Sequence, residues 1–161
     1  MIKAILAADD DWGIGRGGTL PWPKNTEDLR QFRAKTSGCI VVMGSSTWHD
    51  PMFPKPLPNR ENIVISRNTI TVPGVVTLSG YYNNALIELS KSQNKDIWII
   101  GGASIFEQSL SIIEEVHVTR IKGSFSCDVF FHLDSSFEMM TSESPVSGSD
   151  TNSYFTYRVN K

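Results

Sequence analysis

The chain has 161 residues, of which 40% are hydrophobic and 20% charged, with a formal net charge of −2. That length suits one domain with a real interior, and the slight acidic excess leaves no basic footprint for nucleic acid. No stretch approaches the roughly 18 apolar residues of a membrane helix, so no membrane partner is expected. Cys39 and Cys127 form neither a disulfide framework nor a metal spacing, and His49, His117 and His132 are scattered, so no metal is expected.

Ile2 to Ala8 is the first predicted strand. Asp9-Asp10-Asp11 break its apolar run before it reaches the length of a secretory signal, which predicts a cytoplasmic protein. Asp9 to Lys24 is a long connection with Gly13, Gly15, Gly17 and Gly18, followed by Leu20-Pro21-Trp22-Pro23. It reads either as a mobile lid hinged on Trp22 or as an ordinary surface loop.

Glu27 to Lys35 is a predicted helix with Asn25 as its N-cap. A spacing of four sets Asp28 above Phe32, with Leu29 beside them. Asp28 is then either an acid favoured at a helix start by cap and dipole, or a carboxylate on an apolar face. In the second reading it accepts two hydrogen bonds from a flat heterocycle while Phe32 packs on the ring.

Cys39 to Met43 is an apolar strand ending in Gly44-Ser45-Ser46-Thr47, ahead of a short helix. In Lys55-Pro56-Leu57-Pro58-Asn59-Arg60, Arg60 either forks onto a carboxylate or is one charge of a solvated loop. Asn62 to Ser66 is a strand with Arg67 just beyond it, at the end where open α/β sheets meet ligands or merely as a surface charge. Val75 to Leu78 is a strand and Tyr82 to Ser90 a helix.

Asp96 to Ile100 is a strand whose run from Ile97 to Ile100 is apolar on both parities, as in a strand covered on both faces. It runs directly into Gly101-Gly102-Ala103-Ser104-Ile105-Phe106. Glycines let backbone approach a ligand closely, and the N–H groups of a helix start favour an anion. With the Gly44 turn this makes two cradles, which suit a dinucleotide pyrophosphate. Strand and helix alternation predicts a largely parallel α/β sheet. After about residue 114 the helices stop, and Glu115 to Ile121 and Tyr154 to Val159 form an antiparallel end, with Ser142 to Ser153 as an exposed loop.

Together these segments resemble the dihydrofolate reductase family over nearly the whole chain. The glycine-bearing loop ending in Leu20-Pro21-Trp22, the acid-bearing helix Glu27-Asp28-Leu29 with Phe32, the turn Met43-Gly44-Ser45-Ser46-Thr47-Trp48, the segment Pro56-Leu57-Pro58-Asn59-Arg60 and the turn Ile99 to Ile105 occur in the family's order. The resemblance implies one domain over residues 1–161 with a three-layer α/β fold. Its central sheet would be mostly parallel with an antiparallel C-terminal hairpin, and helices would cover both faces.

The implied reaction reduces 7,8-dihydrofolate to tetrahydrofolate by hydride transfer from NADPH, with a proton added at the neighbouring ring nitrogen. Asp28 would hold the pterin and support protonation, with Trp22 and Thr119 as partners; Ile5, Leu29, Phe32, Leu57 and Ile100 would line the apolar slot, and Arg60 would bind the glutamate tail. For NADPH, Gly44, Ser45, Ser46 and Thr47 together with Gly101, Gly102, Ala103, Ser104 and Ile105 would wrap the pyrophosphate. Ala7, Ile14 and Leu20 would approach the nicotinamide, and Ser66 and Arg67 the 2′-phosphate. A cis bond between Gly101 and Gly102 is expected.

The chain departs from the family in places. Ser45 and Ser46 replace a basic residue, Phe106 a tyrosine, and Cys127, before the loop acid Asp128, a frequent glycine. Two other readings compete: a same-fold pyrimidine reductase of riboflavin synthesis, which needs neither Asp28 above Phe32 nor Arg60 after Leu57, and a catalytically silent folate- or nucleotide-binding module. A monomer acting on a small molecule is expected.

Overall fold

The computed structural model describes residues 1–16, 20–143 and 152–159. One eight-stranded sheet has the order β5-β4-β3-β6-β1-β7-β10-β9, from β1 (Ile2–Ala8), β3 (Ile40–Gly44), β4 (Glu61–Ile65), β5 (Val75–Leu78), β6 (Ile97–Gly101), β7 (Glu115–Ile121), β9 (Phe137–Glu143) and β10 (Asn152–Val159). The β5–β4, β4–β3, β3–β6 and β6–β1 ladders are parallel, whereas β10 runs antiparallel to both β7 and β9. This is the α/β fold expected from the strand and helix alternation, with its antiparallel C-terminal hairpin.

Several features differ from expectation. Within the connection from Asp9 to Lys24, β2 (Gly13–Gly15) pairs antiparallel with β8 (Val129–Phe130). Three residues, two of them glycine, carry no apolar alternation, and their partner lies far along the chain. Nor does the loop expected from Ser142 to Ser153 begin and end there, since Ser142 and Glu143 belong to β9 and Asn152 and Ser153 to β10. The rest of that segment, 144–151, lies outside the described residues, as do 17–19. The strand read from Cys39 starts one residue later, at Ile40.

The chain divides into two compact units, Met1–Ala4 with Thr36–Ile113, and Ile5–Lys35 with Glu114–Lys161. In the first, every residue of β3 is buried, as a strand flanked on both sides and covered on both faces demands. Val41, Val42 and Met43 share that interior with Ile97, Ile99 and with Leu86 of α3 (Asn83–Ser92). Each such side chain contributes about 1.5–3 kcal/mol by leaving water. Two short helices, α2 (Ser45–Trp48) and α4 (Ala103–Ser109), start directly from the ends of the neighbouring strands β3 and β6.

In the second unit, α1 (Thr26–Thr36) carries the acid-bearing segment. Asn25 caps it, its Oδ1 accepting the Asp28 N–H at 3.1 Å. Asn25 and Asn152, at the start of β10, exchange side-chain amide hydrogen bonds in both directions at 2.9 and 2.8 Å. Asn152 is 1% exposed, so these bonds satisfy polar atoms that have left water.

Candidate active site

Asp28 sits at the third position of α1, half-buried, where the cap fixes its backbone. Desolvation pushes its carboxyl above the ordinary carboxylate range, and a hydrogen bond from the Thr119 hydroxyl pulls it part of the way back. Thr119 lies on β7 and is itself buried. The cap and the desolvation thus act on one residue.

Around it in the same unit, Ile5 and Trp22 are buried and Ala7, Ile14 and Phe32 half-buried, while Leu20 and Leu29 are exposed at 58% and 44%. Trp22 packs edge-on to Phe125 with ring centroids 5.8 Å apart. Of the two partners expected for Asp28, Thr119 bonds it directly, while the contact the structure gives Trp22 is the one with Phe125.

The first unit holds the remaining predicted residues. A buried amide organises the Leu57 to Arg60 loop: Asn62 Oδ1 accepts the Leu57 N–H at 2.9 Å, and its Nδ2 donates to the carbonyls of Leu57 and Arg60 at 3.0 Å each. Leu57 is buried there, and the Arg60 guanidinium donates to Thr36 Oγ1 at 3.0 Å and to the Pro58 carbonyl at 2.9 Å. Arg60 is half-buried, with its guanidinium held by these two acceptors. Asn62 was missed by sequence reasoning, and its only signal was an amide in an otherwise apolar strand.

The two glycine turns stand side by side because β3 and β6 are parallel neighbours. Gly44 and Gly102 precede α2 and α4, and no side chain caps either helix. A Cβ at Gly44 would come 2.8 Å from Ile105 Cγ1, and one at Gly102 would sit 3.8 Å from Thr47 Oγ1. Gly101 has φ +122°, a backbone state closed to most side chains, and the Gly101–Gly102 bond is cis, as expected. Uncapped N–H groups on adjoining, glycine-cleared helix starts are chemically suited to a diphosphate.

Beside them Ser45, His49, Ser66, Arg67 and Asn68 line a cleft of about 530 Å³. Arg67 is exposed, at the carboxyl end of β4. His49, whose Nδ1 lies 2.8 Å from the Ser45 carbonyl, was not picked out from sequence. Its position four residues after Ser45 was the available signal. Among the described residues no group of three His, Cys, Asp or Glu side chains could hold a metal ion, and no helix is long and apolar enough to cross a membrane.

The model of the dihydrofolate reductase family matches residues 1–161. The chain belongs to the dihydrofolate reductase family. It is 32% identical over 165 aligned positions to dihydrofolate reductase type 8 of Escherichia coli, covering 98% of this chain and 95% of that one. It is 36% identical over 161 positions to a bifunctional dihydrofolate reductase-thymidylate synthase of Paramecium tetraurelia, spanning 98% of this chain but 34% of that longer protein. Among solved structures, dihydrofolate reductase from Enterococcus faecalis complexed with NADP(H) and RAB-propyl superposes with a TM-score of 0.86 at 28% identity, covering 100% of this chain and 97% of that one.

Proposed function

We propose that residues 1–161 act as one reductase domain, reducing 7,8-dihydrofolate to tetrahydrofolate with NADPH. The chain works as a monomer in the cytoplasm, on a small molecule, with no nucleic-acid or membrane partner. The observation that carries the reading is Asp28: a half-buried carboxyl of raised proton affinity, bonded to Thr119 and placed on one helix face with Phe32.

NADPH, when bound, supplies the hydride. The chain's own residues do the rest. Asp28 accepts hydrogen bonds from the pterin's amino group and ring N–H, and its raised proton affinity lets it support protonation of the ring nitrogen near neutral pH. Phe32, Leu29, Ile5, Leu57 and Ile100 supply apolar surface, which keeps water from the reacting rings. Arg60, steered by Thr36, takes the glutamate α-carboxylate as a fork. Gly44 to Thr47 and Gly101 to Ile105 hold the pyrophosphate through backbone N–H groups, and Ser66 and Arg67 meet the 2′-phosphate. Ala7, Ile14 and Leu20 face the nicotinamide.

The test is NADPH oxidation with dihydrofolate, run beside an aminopyrimidine ribosyl substrate. Turnover with dihydrofolate alone is the expected result. Turnover only with the pyrimidine, or with neither compound, overturns the reading.

A further inference from the structure

Asp9 is 1% exposed, and its two carboxylate oxygens serve different stretches of chain. Oδ1 accepts the N–H groups of Asp11 and Gly13 at 2.9 and 2.8 Å, shaping the turn out of β1. Oδ2 accepts the N–H of Phe125 at 3.1 Å and the Cys127 thiol at 3.4 Å. The carboxylate is thus shared, one oxygen per segment.

Other contacts join the same two segments. The Arg120 guanidinium donates to the carbonyls of Asp9 and Asp10 at 3.1 and 3.0 Å and lies 4.3 Å over the Trp12 ring. The Asp128 N–H donates to Gly15 O at 3.0 Å, and Arg16 donates to Phe125 O at 3.0 Å. At Gly13 a methyl group would collide with the Cys127 side chain and lie 3.1 Å from Asp9 Oδ1. The close approach therefore requires both the anion and the missing Cβ. Burial alone would push the Asp9 carboxyl up, but its four donors outweigh that and hold it below the ordinary range, so it is an anion at neutral pH.

We propose that Asp9 is a positioning residue for hydride transfer: by binding both segments through separate oxygens it fixes the stretch carrying Ile14 for the nicotinamide. This rests on the reductase reading. Asp9 touches neither reacting ring and acts through the backbone it holds.

Asp9→Asn separates the two halves of this arrangement. The amide keeps one acceptor oxygen for Gly13 and Asp11 and sets an NH2 donor against the Phe125 N–H. Single-turnover hydride transfer from NADPH and its deuterated form should fall about tenfold or more in Asp9→Asn, with dihydrofolate affinity held within about twofold. Gly13→Ala, which forces the segments apart sterically, should fall in the same direction. In Asp9→Asn the Phe125 amide should lose hydrogen-exchange protection while the Gly13 amide keeps it.

Hydride transfer within about twofold of the unmodified chain in both variants overturns the proposal. So does a loss that only follows dihydrofolate affinity and thermal midpoint downward, which is the mark of a merely structural role. If the unmodified chain binds dihydrofolate without reducing it, the reductase reading fails instead, and retained Phe125 protection in Asp9→Asn still refutes the shared-carboxylate arrangement.

Discussion

The Thr119 hydroxyl on β7 donates to the Asp28 carboxylate on α1, and it opposes the desolvation that raises that group's proton affinity. The two effects set where the acid titrates. Replacing Thr119 by Val keeps the volume and removes the donor, so Asp28 should hold its proton to higher pH. Hydride transfer supported by the protonated form is present below the folded pKa and lost above it. The descending limb of the rate against pH should accordingly move upward in Thr119→Val. A downward move contradicts the assignment.

Asp28→Asn should leave folate and NADPH binding within about tenfold and slow hydride transfer by roughly two or more orders of magnitude near neutral pH, the usual size of acid–base assistance. Stopped-flow single turnovers measure this directly. An unchanged rate would falsify the role given to Asp28.

The same variant should be more stable at neutral pH. The folded-state pKa of Asp28 is raised above the unfolded value of about 3.9. Its stabilising contribution is full below that unfolded value and is lost as pH rises through the folded one. At neutral pH the buried anion is a burden that Asn lacks, so calorimetry should record a higher thermal midpoint for Asp28→Asn, converging on the unmodified chain in acid. An equal midpoint at every pH contradicts this.

Arg67→Ala should weaken NADPH binding by roughly tenfold or more, the scale of a hydrogen bond to a charged group, and barely alter NADH. Titration with both nucleotides decides it. Equal losses remove the 2′-phosphate assignment.

Gly44→Ala should reduce NADPH affinity and cost about 1–3 kcal/mol of stability, because the added methyl meets Ile105 in a packed turn. Denaturant unfolding of the ligand-free protein measures the second effect separately from the first. A variant of unchanged midpoint and affinity would show that the turn has slack.

Much of this was legible in the residues. The limits of β1, β5 and β7 were visible in the residues, and β3 and β6 stood out as apolar runs because a strand covered on both faces writes itself as nearly uninterrupted hydrophobicity. Asn25 and Asp28 were legible through the local chemistry of a helix start, which involves only near neighbours. The arrangement around Asp9 was not. Its carboxylate bonds to Gly13 four residues away and to Cys127 at a separation of 118, and no local pattern encodes the second. β2 and β8 were hidden for the same reason, as each is too short to have a period of its own. Asn62 and Asn152 looked like ordinary polar residues, since a buried amide reveals its partners only after the chain has folded.

The bonds between Asn25 and Asn152 span a separation of 127 residues. Asn25 Oδ1 serves both that partner and the Asp28 amide, so the helix bearing the acid is finished only when the last strand arrives. During synthesis, a ribosome stalled ahead of codon 152 would hold a chain that has Asp28 and its cap residue Asn25 and yet lacks the amide that Asn25 pairs with. The acid and the amide that braces its helix start are thus contributed by stretches of chain made early and late in synthesis.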